Sequence, residues 1–416
     1  MPKAQVMATS KEASNVLQIP SPIEKAAALP TGRLPLMAFV ADAKTEAVLR
    51  ECLPQSPETP HVVMRGGIAK AVQHLAGERS PLTLIVDLSG VDLPLARIHD
   101  LADVCEPRVT VIALGDHNDV ELYRDLIQAG VHDYLVKPIT YQRLAKALAA
   151  KGGVGESSPI NQKLGKVVAL IGARGGVGTT TLAANLAWYL ANEQKRRVGL
   201  VDLDLQNGDC ALTLDVKPTG GLREALMNPH RVDSVFLERA MAVHGERLFV
   251  LGSEEPLRDN VEFTAEAVDK VVSIMRTQFH CVILDVPRVP NEAYRRALEL
   301  ADLRVIVADQ TLRAARDAVR LRAALPERGH EHWNLLVVNR AGEAGRYAVT
   351  LKEMRDVLGI GPKAVIPYQP RLFAKAAGRA RMPAAGRGAL VDGLAAVALE
   401  IVGRPADRRS WWRFAK

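Results

Sequence analysis

Between positions 172 and 181 the chain reads Gly172-Ala-Arg-Gly-Gly-Val-Gly-Thr-Thr-Thr181, and few folds accept that string. An apolar run, Val167–Ile171, leads into it, and a helix-compatible run, Leu182-Ala-Ala-Asn-Leu-Ala-Trp-Tyr-Leu190, leads out. Strand, glycine loop and helix in that order aim main-chain N–H groups and a helix N-terminus at one point, which makes an anion site. The glycines let the backbone wrap a phosphate closely. The common phosphate-loop pattern G-x-x-x-x-G-K-[ST] puts lysine after its last glycine and a magnesium-binding hydroxyl after that. Here those positions hold Thr179 and Thr180. The cradle is kept and its main cation is lost.

Apolar residues make up 48% of the 416-residue chain and charged residues 24%, enough for two or three packed domains. Four cysteines, Cys52, Cys105, Cys210 and Cys281, are scattered and form no C-x-x-C pair. They read as small buried residues of a reducing compartment, not as disulfides or a metal site. No apolar run has the length of a signal-peptide core or a membrane span, so a cytoplasmic protein is expected. The formal charge of +7 fits either an arginine-rich solvated surface or a contact with nucleic acid or anionic lipid.

Residues 1–33 carry Ala, Pro and Ser without periodicity and read as a disordered leader. From 34 to 150, short apolar runs alternate with helical stretches: Leu36–Val40, Val62–Met64, Leu82–Val86, Val109–Leu114 and Asp133–Val136. Such an alternation implies a parallel sheet covered on both faces. Residues 151–165 are rich in Gly, Ser and Pro and read as a linker. Their Lys151-Gly-Gly-Val-Gly155 imitates a phosphate loop, but no strand feeds it and no helix opens from it. A second alternation fills 166–402, with strands expected at Val167–Ile171, Val198–Val201, Leu248–Leu251, Cys281–Leu284, Leu303–Ala308, Leu335–Val338 and Ala364–Ile366. The expected fold class is α/β, with two doubly wound parallel-sheet domains. Residues 403–416 form a basic, aromatic tail.

Three strand ends in the second region carry chemistry. Val201-Asp202-Leu-Asp204-Leu-Gln-Asn-Gly-Asp209 closes its second strand, where carboxylates face the ligand crevice of an open α/β sheet. A spacing of two puts Asp202 and Asp204 on one side of an extended chain. One can hold a magnesium-bound water while the other orients an attacking water. Cys281-Val-Ile-Leu-Asp285 is an apolar strand ending in a carboxylate suited to supporting Mg²⁺. Asn339, after Leu335–Val338, offers a donor and an acceptor for the edge of adenine. Each alone is equally a turn former or a cap. Together, in one sheet and behind one glycine loop, they point to a nucleotide.

The combination resembles the deviant-Walker ATPases of the MinD/ParA group. More narrowly, it resembles the TadZ/CpaE family of Flp (tight adherence) pilus assembly proteins. The narrower resemblance rests on Ala173-Arg-Gly-Gly-Val-Gly-Thr-Thr-Thr-Leu182, Asp202-Leu-Asp-Leu-Gln-Asn-Gly-Asp209, Leu284-Asp-Val-Pro-Arg288 and Ile366-Pro-Tyr-Gln-Pro-Arg-Leu-Phe373, with the domain order, and it covers about residues 34–400. It implies a homodimer that binds ATP and Mg²⁺. Gly175, Gly176, Val177, Gly178 and Thr179 would cradle the phosphates. Thr180 would coordinate Mg²⁺ with support from Asp202 and Asp285, and Thr181 would bond the α-phosphate. Asp204 would position water, and Asn339 and Pro367 would contact adenine. The group's signature lysine, which reaches a partner's nucleotide, corresponds to Arg174. A guanidinium keeps that charge and binds phosphate in bidentate fashion. Thr179 does not replace the second lysine. A hydrogen bond to a charged group contributes about 1.5–3 kcal/mol, so binding about tenfold to a hundredfold weaker is expected. Hydrolysis should be slow or absent, because the lysine stabilises charge that develops in the transition state.

The first region resembles response-regulator receivers of the CheY type. Asp87 ends the third strand, at the phosphoacceptor position, and Lys137-Pro138 follow the fifth. Two departures mark a pseudo-receiver used for docking or dimerisation. Ala41-Asp42-Ala43 offers one acid where the metal site needs a pair, and Gly115 stands where a hydroxyl is required. Phosphorylation of Asp87 is therefore not expected.

Arg371, Lys375, Arg379, Arg381 and Arg387 lie in an acid-free stretch that reads as a solvated face, and nucleic acid is not an expected partner. The tail Arg408-Arg-Ser-Trp-Trp-Arg-Phe414 either rests at a lipid headgroup layer or packs loosely on the protein. The expected function is a nucleotide-dependent localisation and assembly factor for a pilus secretion machinery, at a cell pole or against the inner membrane. The competing readings are a positioning ATPase for DNA or another cargo, and a phosphorylation-controlled regulator.

Overall fold

A computed structural model describes residues 33–53, 60–107, 109–149, 164–259, 261–325, 334–377 and 381–403. The leader up to 32, the linker residues 151–163 with the Lys151–Gly155 imitation, Arg379 and the Arg408–Phe414 tail lie outside the described residues.

Five strands form the first sheet: β1 (Leu36–Val40), β2 (His61–Arg65), β3 (Thr83–Asp87), β4 (Thr110–Gly115) and β5 (Asp133–Val136). They run parallel in the order β2-β1-β3-β4-β5. The strands are apolar at nearly every position because helices cover both faces. Met37, Phe39, Leu84 and Val86 enter one buried cluster, while Ala38, Val40, Ile85 and Ile112 enter the other.

Eight strands form the second sheet: β6 (Lys166–Gly172), β7 (Val198–Asp202), β8 (Ala242–His244), β9 (Leu248–Leu251), β10 (Cys281–Val286), β11 (Leu303–Ala308), β12 (Asn334–Ala341) and β13 (Pro362–Pro367). Their order is β13-β12-β11-β6-β10-β7-β9-β8. All neighbours are parallel apart from β8, which pairs antiparallel with β9. Alternate residues of β6 again feed two cores, Val167 and Ala169 on one face and Val168 and Leu170 on the other. The direction of winding changes beside β6, so the crevice at its C-terminal end is where an open α/β sheet receives a ligand. Both sheets match the expected class of two doubly wound α/β domains. The edge strand β8 is an addition: it is short, and its Val243 is largely exposed, so no apolar run announces it.

The sheets meet near the N-terminal ends of their strands. Glu106, ahead of β4, lies 3.8 Å from Arg33, 3.4 Å from Arg79 and 3.8 Å from Arg197, ahead of β7. His280, ahead of β10, is buried nearby, and burial pushes its imidazole down to about 4. Both candidate sites lie at the opposite, C-terminal ends of the strands.

Candidate functional site

The loop after β6 needs its glycines. Gly176 and Gly178 adopt left-handed backbone, with φ of +80° and +86°. A Cβ at Gly178 would stand 2.7 Å from Nδ2 of Asn339, and one at Gly172 would stand 2.6 Å from Oγ1 of Thr179. Gly178 precedes the Thr179–Asn192 helix, and no side chain caps that end. Its first-turn N–H groups and the positive end of the helix dipole stay available to an anion.

Three side chains hold the loop open. Nη1 of Arg174 donates to the carbonyl of Gly175 at 2.7 Å, and Nη1 of Arg340 donates to the carbonyl of Gly176 at 2.7 Å. Nδ2 of Asn339 donates to the carbonyl of Val177 at 2.8 Å. In a trans peptide the N–H points away from the preceding C=O. The N–H groups of Gly176, Val177 and Gly178 therefore face away from these donors, as a phosphate cradle requires. Arg174 also pairs with the carboxylate of Asp309. Arg340 pairs with Glu343 and lies 5.0 Å over the ring of Tyr368, the residue after Pro367. Thr181 lies one turn into the helix, and its carbonyl accepts from Nδ2 of Asn185 at 2.8 Å.

The acids stand opposite. Asp202 and Asp285 are register partners at the ends of the parallel strands β7 and β10. The hydroxyl of Thr180 lies near enough to Asp285 to favour its charged form. Burial, with the neighbouring Asp202 carboxylate, pushes Asp285 up to about 7. Burial pushes Asp202 up to about 6, against the N–H donors of Cys210 and Asp204 at 3.0 and 3.2 Å. Two buried carboxyl groups side by side lack positive charge, and a divalent cation supplies it. Thr180, Asp202 and Asp285 thus fit Mg²⁺ held through oxygen and water. When bound, the ion would offset phosphate charge.

Asp204 departs from the extended arrangement its spacing suggested. It lies beyond β7 in a turn, where its Oδ1 accepts from the N–H of Asn207 at 3.0 Å. The local side-chain bond wins over extension, so Asp202 and Asp204 do not share one side of a strand. Asp204 remains partly exposed beside the buried pair.

The second domain is similar to several known proteins. The family model described as cellulose biosynthesis protein BcsQ matches residues 165–352. The septum site-determining protein MinD of Bacillus subtilis (strain 168) is 28% identical over 189 residues, which is 42% of this chain and 65% of that protein. The chain thus spans about two thirds of that relative's length. The structure of MinD complexed with Mg-ADP from Pyrococcus horikoshii OT3 is 20% identical, covering 57% of this chain and 96% of that one, with a TM-score of 0.50. This part of the chain is similar in sequence to MinD and has the fold of the MinD/ParA-type P-loop ATPases. A pilus assembly protein CpaE from Caulobacter crescentus CB15 also matches, at 29% identity, over 28% of this chain and 97% of that one, with a TM-score of 0.27. MinD and CpaE neighbours therefore both appear. No helix among the described residues is long and apolar enough to cross a membrane.

Within the MinD/ParA-type domain, Arg174, Gly175 to Thr181, Asp202, Asp285 and Asn339 gather around one crevice, and Pro367 ends the neighbouring strand β13. Sequence reasoning passed over three participants. Asp309 holds Arg174, and Arg340 braces Gly176 from across the crevice. Cys210, read only as a buried small residue, lies within 4.8 Å of the ligand atoms of both Asp202 and Asp285.

The first sheet has its own crevice. Asp87 is buried at the end of β3, and its Oδ2 accepts from Nζ of Lys137 at 2.7 Å and from the N–H of Ala41 at 2.8 Å. Its Oδ1 accepts from the N–H of Ser89 at 3.0 Å. Lys137 also bonds Asp42 at 2.8 Å, which holds the Asp42 carboxyl well below its usual range. Where a hydroxyl was sought at Gly115, an added Cβ would lie 2.3 Å from the phenol oxygen of Tyr134. The ring of Tyr134 fills that place, and its hydroxyl donates to the carbonyl of His117 at 2.9 Å.

Proposed function

We propose that the chain is an ATP- and Mg²⁺-binding localisation and assembly factor for a Flp/Tad-type (type IVb) pilus secretion system. It acts as a nucleotide-dependent homodimer with weak or no ATP hydrolysis. Residues 34–150 serve as a receiver-like docking module and residues 166–402 as the nucleotide module, joined by 151–165. One observation carries the nucleotide reading. The carbonyls of Gly175, Gly176 and Val177 are engaged by Arg174, Arg340 and Asn339, which leaves the loop amides for phosphate beside the paired Asp202 and Asp285. Thr179 in place of lysine favours holding ATP over cleaving it. The pilus address rests on the Asp202–Asp209 string and the domain order, and the partners would be components of that machinery, at a pole or at the inner membrane.

In this reading Thr180, Asp202 and Asp285 hold the cation. Arg174 leaves Asp309 to reach the nucleotide of a second copy, and Asp204 orients water if turnover occurs. The likeness to MinD favours a second reading, a positioning ATPase for DNA or another cargo. That reading requires turnover and salt-dependent DNA binding.

A calorimetric titration with MgATP tests the proposal, using wild type and Gly178→Val, with dimer mass and phosphate release measured alongside. The valine is forced into left-handed backbone and against Asn339, so binding should vanish. Wild type should bind, dimerise and release little phosphate. No heat with wild type at millimolar MgATP overturns the proposal, and rapid phosphate release with DNA binding at low salt favours the second reading.

A further inference from the structure

The first domain keeps a second apolar face outside its core. The Val120–Gln128 helix packs Leu122 and Leu126 against the sheet, in the buried cluster of Phe39 and Val86. Val120 and Tyr123, one turn apart, belong to neither buried cluster of that domain and are 63% and 41% exposed. They line a hollow of about 190 Å³ that adjoins another of about 300 Å³. Asn118 and the β5 residues Tyr134 and Val136 line both, and Arg143 lines the larger. The ring of Tyr134 is fixed there, since its hydroxyl donates to the carbonyl of His117 at 2.9 Å. Beside the hollows the chain exposes Asp116, Asp119, Glu121 and Asp125, with Arg124 as the one guanidinium among them.

An occupant of this face has to bring apolar rings together with positive charge. A second copy docked through the same face would set the acidic stretch against itself, because a two-fold contact joins like to like. An anionic surface would be repelled. The chain itself supplies a matching segment. Residues 404–416, outside the described residues, hold Arg404, Arg408, Arg409, Arg413 and Lys416 against a single acid, Asp407, and interleave them with Trp411, Trp412 and Phe414. Each such ring buries about 150–250 Å². The point of departure also fits. Glu400, near the end of the Ala389–Val402 helix, pairs with Lys363 at the start of β13. That helix therefore ends at the N-terminal edge of the second sheet, the edge where Arg197 meets Glu106 of the first domain. Thirteen residues reach at most about 45 Å when extended, more than twice the roughly 17–20 Å length of a strand of the first sheet.

We propose that the basic, aromatic tail of this chain, residues 404–416, docks in the paired hollows of the first domain. Its indoles lie against Val120, Tyr123 and Tyr134, and its guanidinium groups face Asp116, Asp119 and Glu121. The tail then covers a docking face of the first domain, and a partner reaches that face only by displacing it. No nucleotide takes part, so the contact is independent of the crevice in the second domain.

The full chain and a chain ending at Gly403 are each titrated into a fluorescein-labelled peptide of residues 404–416, and binding is read by anisotropy. The shortened chain should bind the peptide, and less tightly as salt rises, because exposed charges are screened. The full chain should bind it at least about tenfold more weakly, since its own tail competes at an effective concentration of about a millimolar. Tyr123→Ala in the shortened chain should weaken binding about tenfold or more, the loss expected of an aromatic anchor. A peptide carrying Trp411→Ala and Trp412→Ala should lose as much. Val120→Ser gives the same reading if the tyrosine variant does not fold. The inference is overturned if the shortened chain does not bind the peptide, if binding survives both Tyr123→Ala and Val120→Ser, or if the full chain binds the peptide as tightly as the shortened one. It is equally overturned if the shortened chain dimerises and Tyr123→Ala abolishes the dimer, which makes a second copy the occupant. Binding of the full chain to phosphatidylglycerol vesicles as tightly as the free peptide overturns it too, since the tail then lies at lipid.

Discussion

The guanidinium of Arg174 is paired with the carboxylate of Asp309 at the end of β11, so the charged residue of the phosphate loop is engaged within its own protomer. Asp309 is almost fully buried, and its Oδ1 accepts from the hydroxyl of Thr311 at 2.6 Å and from the Thr311 N–H at 3.3 Å. Arg174→Ala would leave that carboxylate short of a partner. Stability should fall by about 1–3 kcal/mol, the cost of a buried group left unsatisfied. Asp309→Asn should restore most of it in the double variant, which chemical denaturation of all four proteins reads as a coupling energy. Equal stability of wild type and Arg174→Ala would mean that the pair is screened by water and contributes nothing. In a dimer that uses Arg174 across the interface, Asp309→Asn should also lower the MgATP concentration at which the dimer forms.

The strands were legible because burial on both faces writes itself as uninterrupted Val, Ile and Leu. Val167–Ile171 and Leu303–Ala308 need no partner to be recognised. The glycine loop was legible because its shape forbids side chains. What escaped is what depends on distant contacts. Arg174 and Asp309 are 135 positions apart, Arg340 and Gly176 are 164 apart, and Cys210 and Asp285 are 75 apart. No local pattern marks such pairs. Asp204 failed differently: alternation implied an extended chain, but Asn207 offered its N–H three residues on and the backbone turned. In the first-sheet crevice Asp87 and Lys137 stand at the strand ends where the sequence put them, while the reason for Gly115 lay in Tyr134 on the next strand.

The carboxyl pair makes stability depend on pH with a definite sign. Folded Asp285 keeps its proton up to about 7, whereas an unfolded aspartate loses it near 4. Between those values the native state binds more protons than the unfolded state, so unfolding free energy falls as pH rises. The contribution of this group to the stability of metal-free wild type should therefore decline between about pH 5 and about pH 7.5, and Asp285→Asn should flatten that decline. Saturating divalent cation should flatten it too. His280 acts with the opposite sign below its unfolded range, since burial holds it neutral to about 4. The difference between variant and wild type, taken at each pH by scanning calorimetry, isolates Asp285. A difference that does not change across the window would refute the assignment.

Thr179 stands where a lysine would add charge to the cradle, beside Gly172 at the end of β6. Thr179→Lys should therefore tighten MgATP binding by about tenfold to a hundredfold, the equivalent of one charged hydrogen bond. Phosphate release should rise with it if the rest of the site is competent, because the added cation acts on charge that grows in the transition state. Calorimetry gives the first quantity and a phosphate assay the second. Unchanged affinity would show that another cation already occupies the place, and Arg340, braced on Gly176, is the residue to remove next.

Lys137 keeps the first domain's buried acid in place. Its ammonium bonds Asp87 at 2.7 Å and Asp42 at 2.8 Å, and the Asp87 side chain is fully buried while that of Asp42 is about half exposed. Lys137→Met removes the only cation that the described ion pairs give Asp87. The carboxylate retains the N–H donors of Ala41 and Ser89 but no counter-charge. Breaking a buried pair from one side costs about 3–5 kcal/mol, so the variant should unfold at markedly lower denaturant. Adding Asp87→Asn should recover most of the loss, since the amide needs no counter-ion. The same pairing explains why Asp87 should not act as a phosphoacceptor: its Oδ2 already has two donors, and one acid at Asp42 does not build a magnesium site. Incubation with a small-molecule phosphoryl donor and Mg²⁺, read by intact mass, should leave wild type unmodified. A phosphorylated species that disappears in Asp87→Asn would restore the receiver reading.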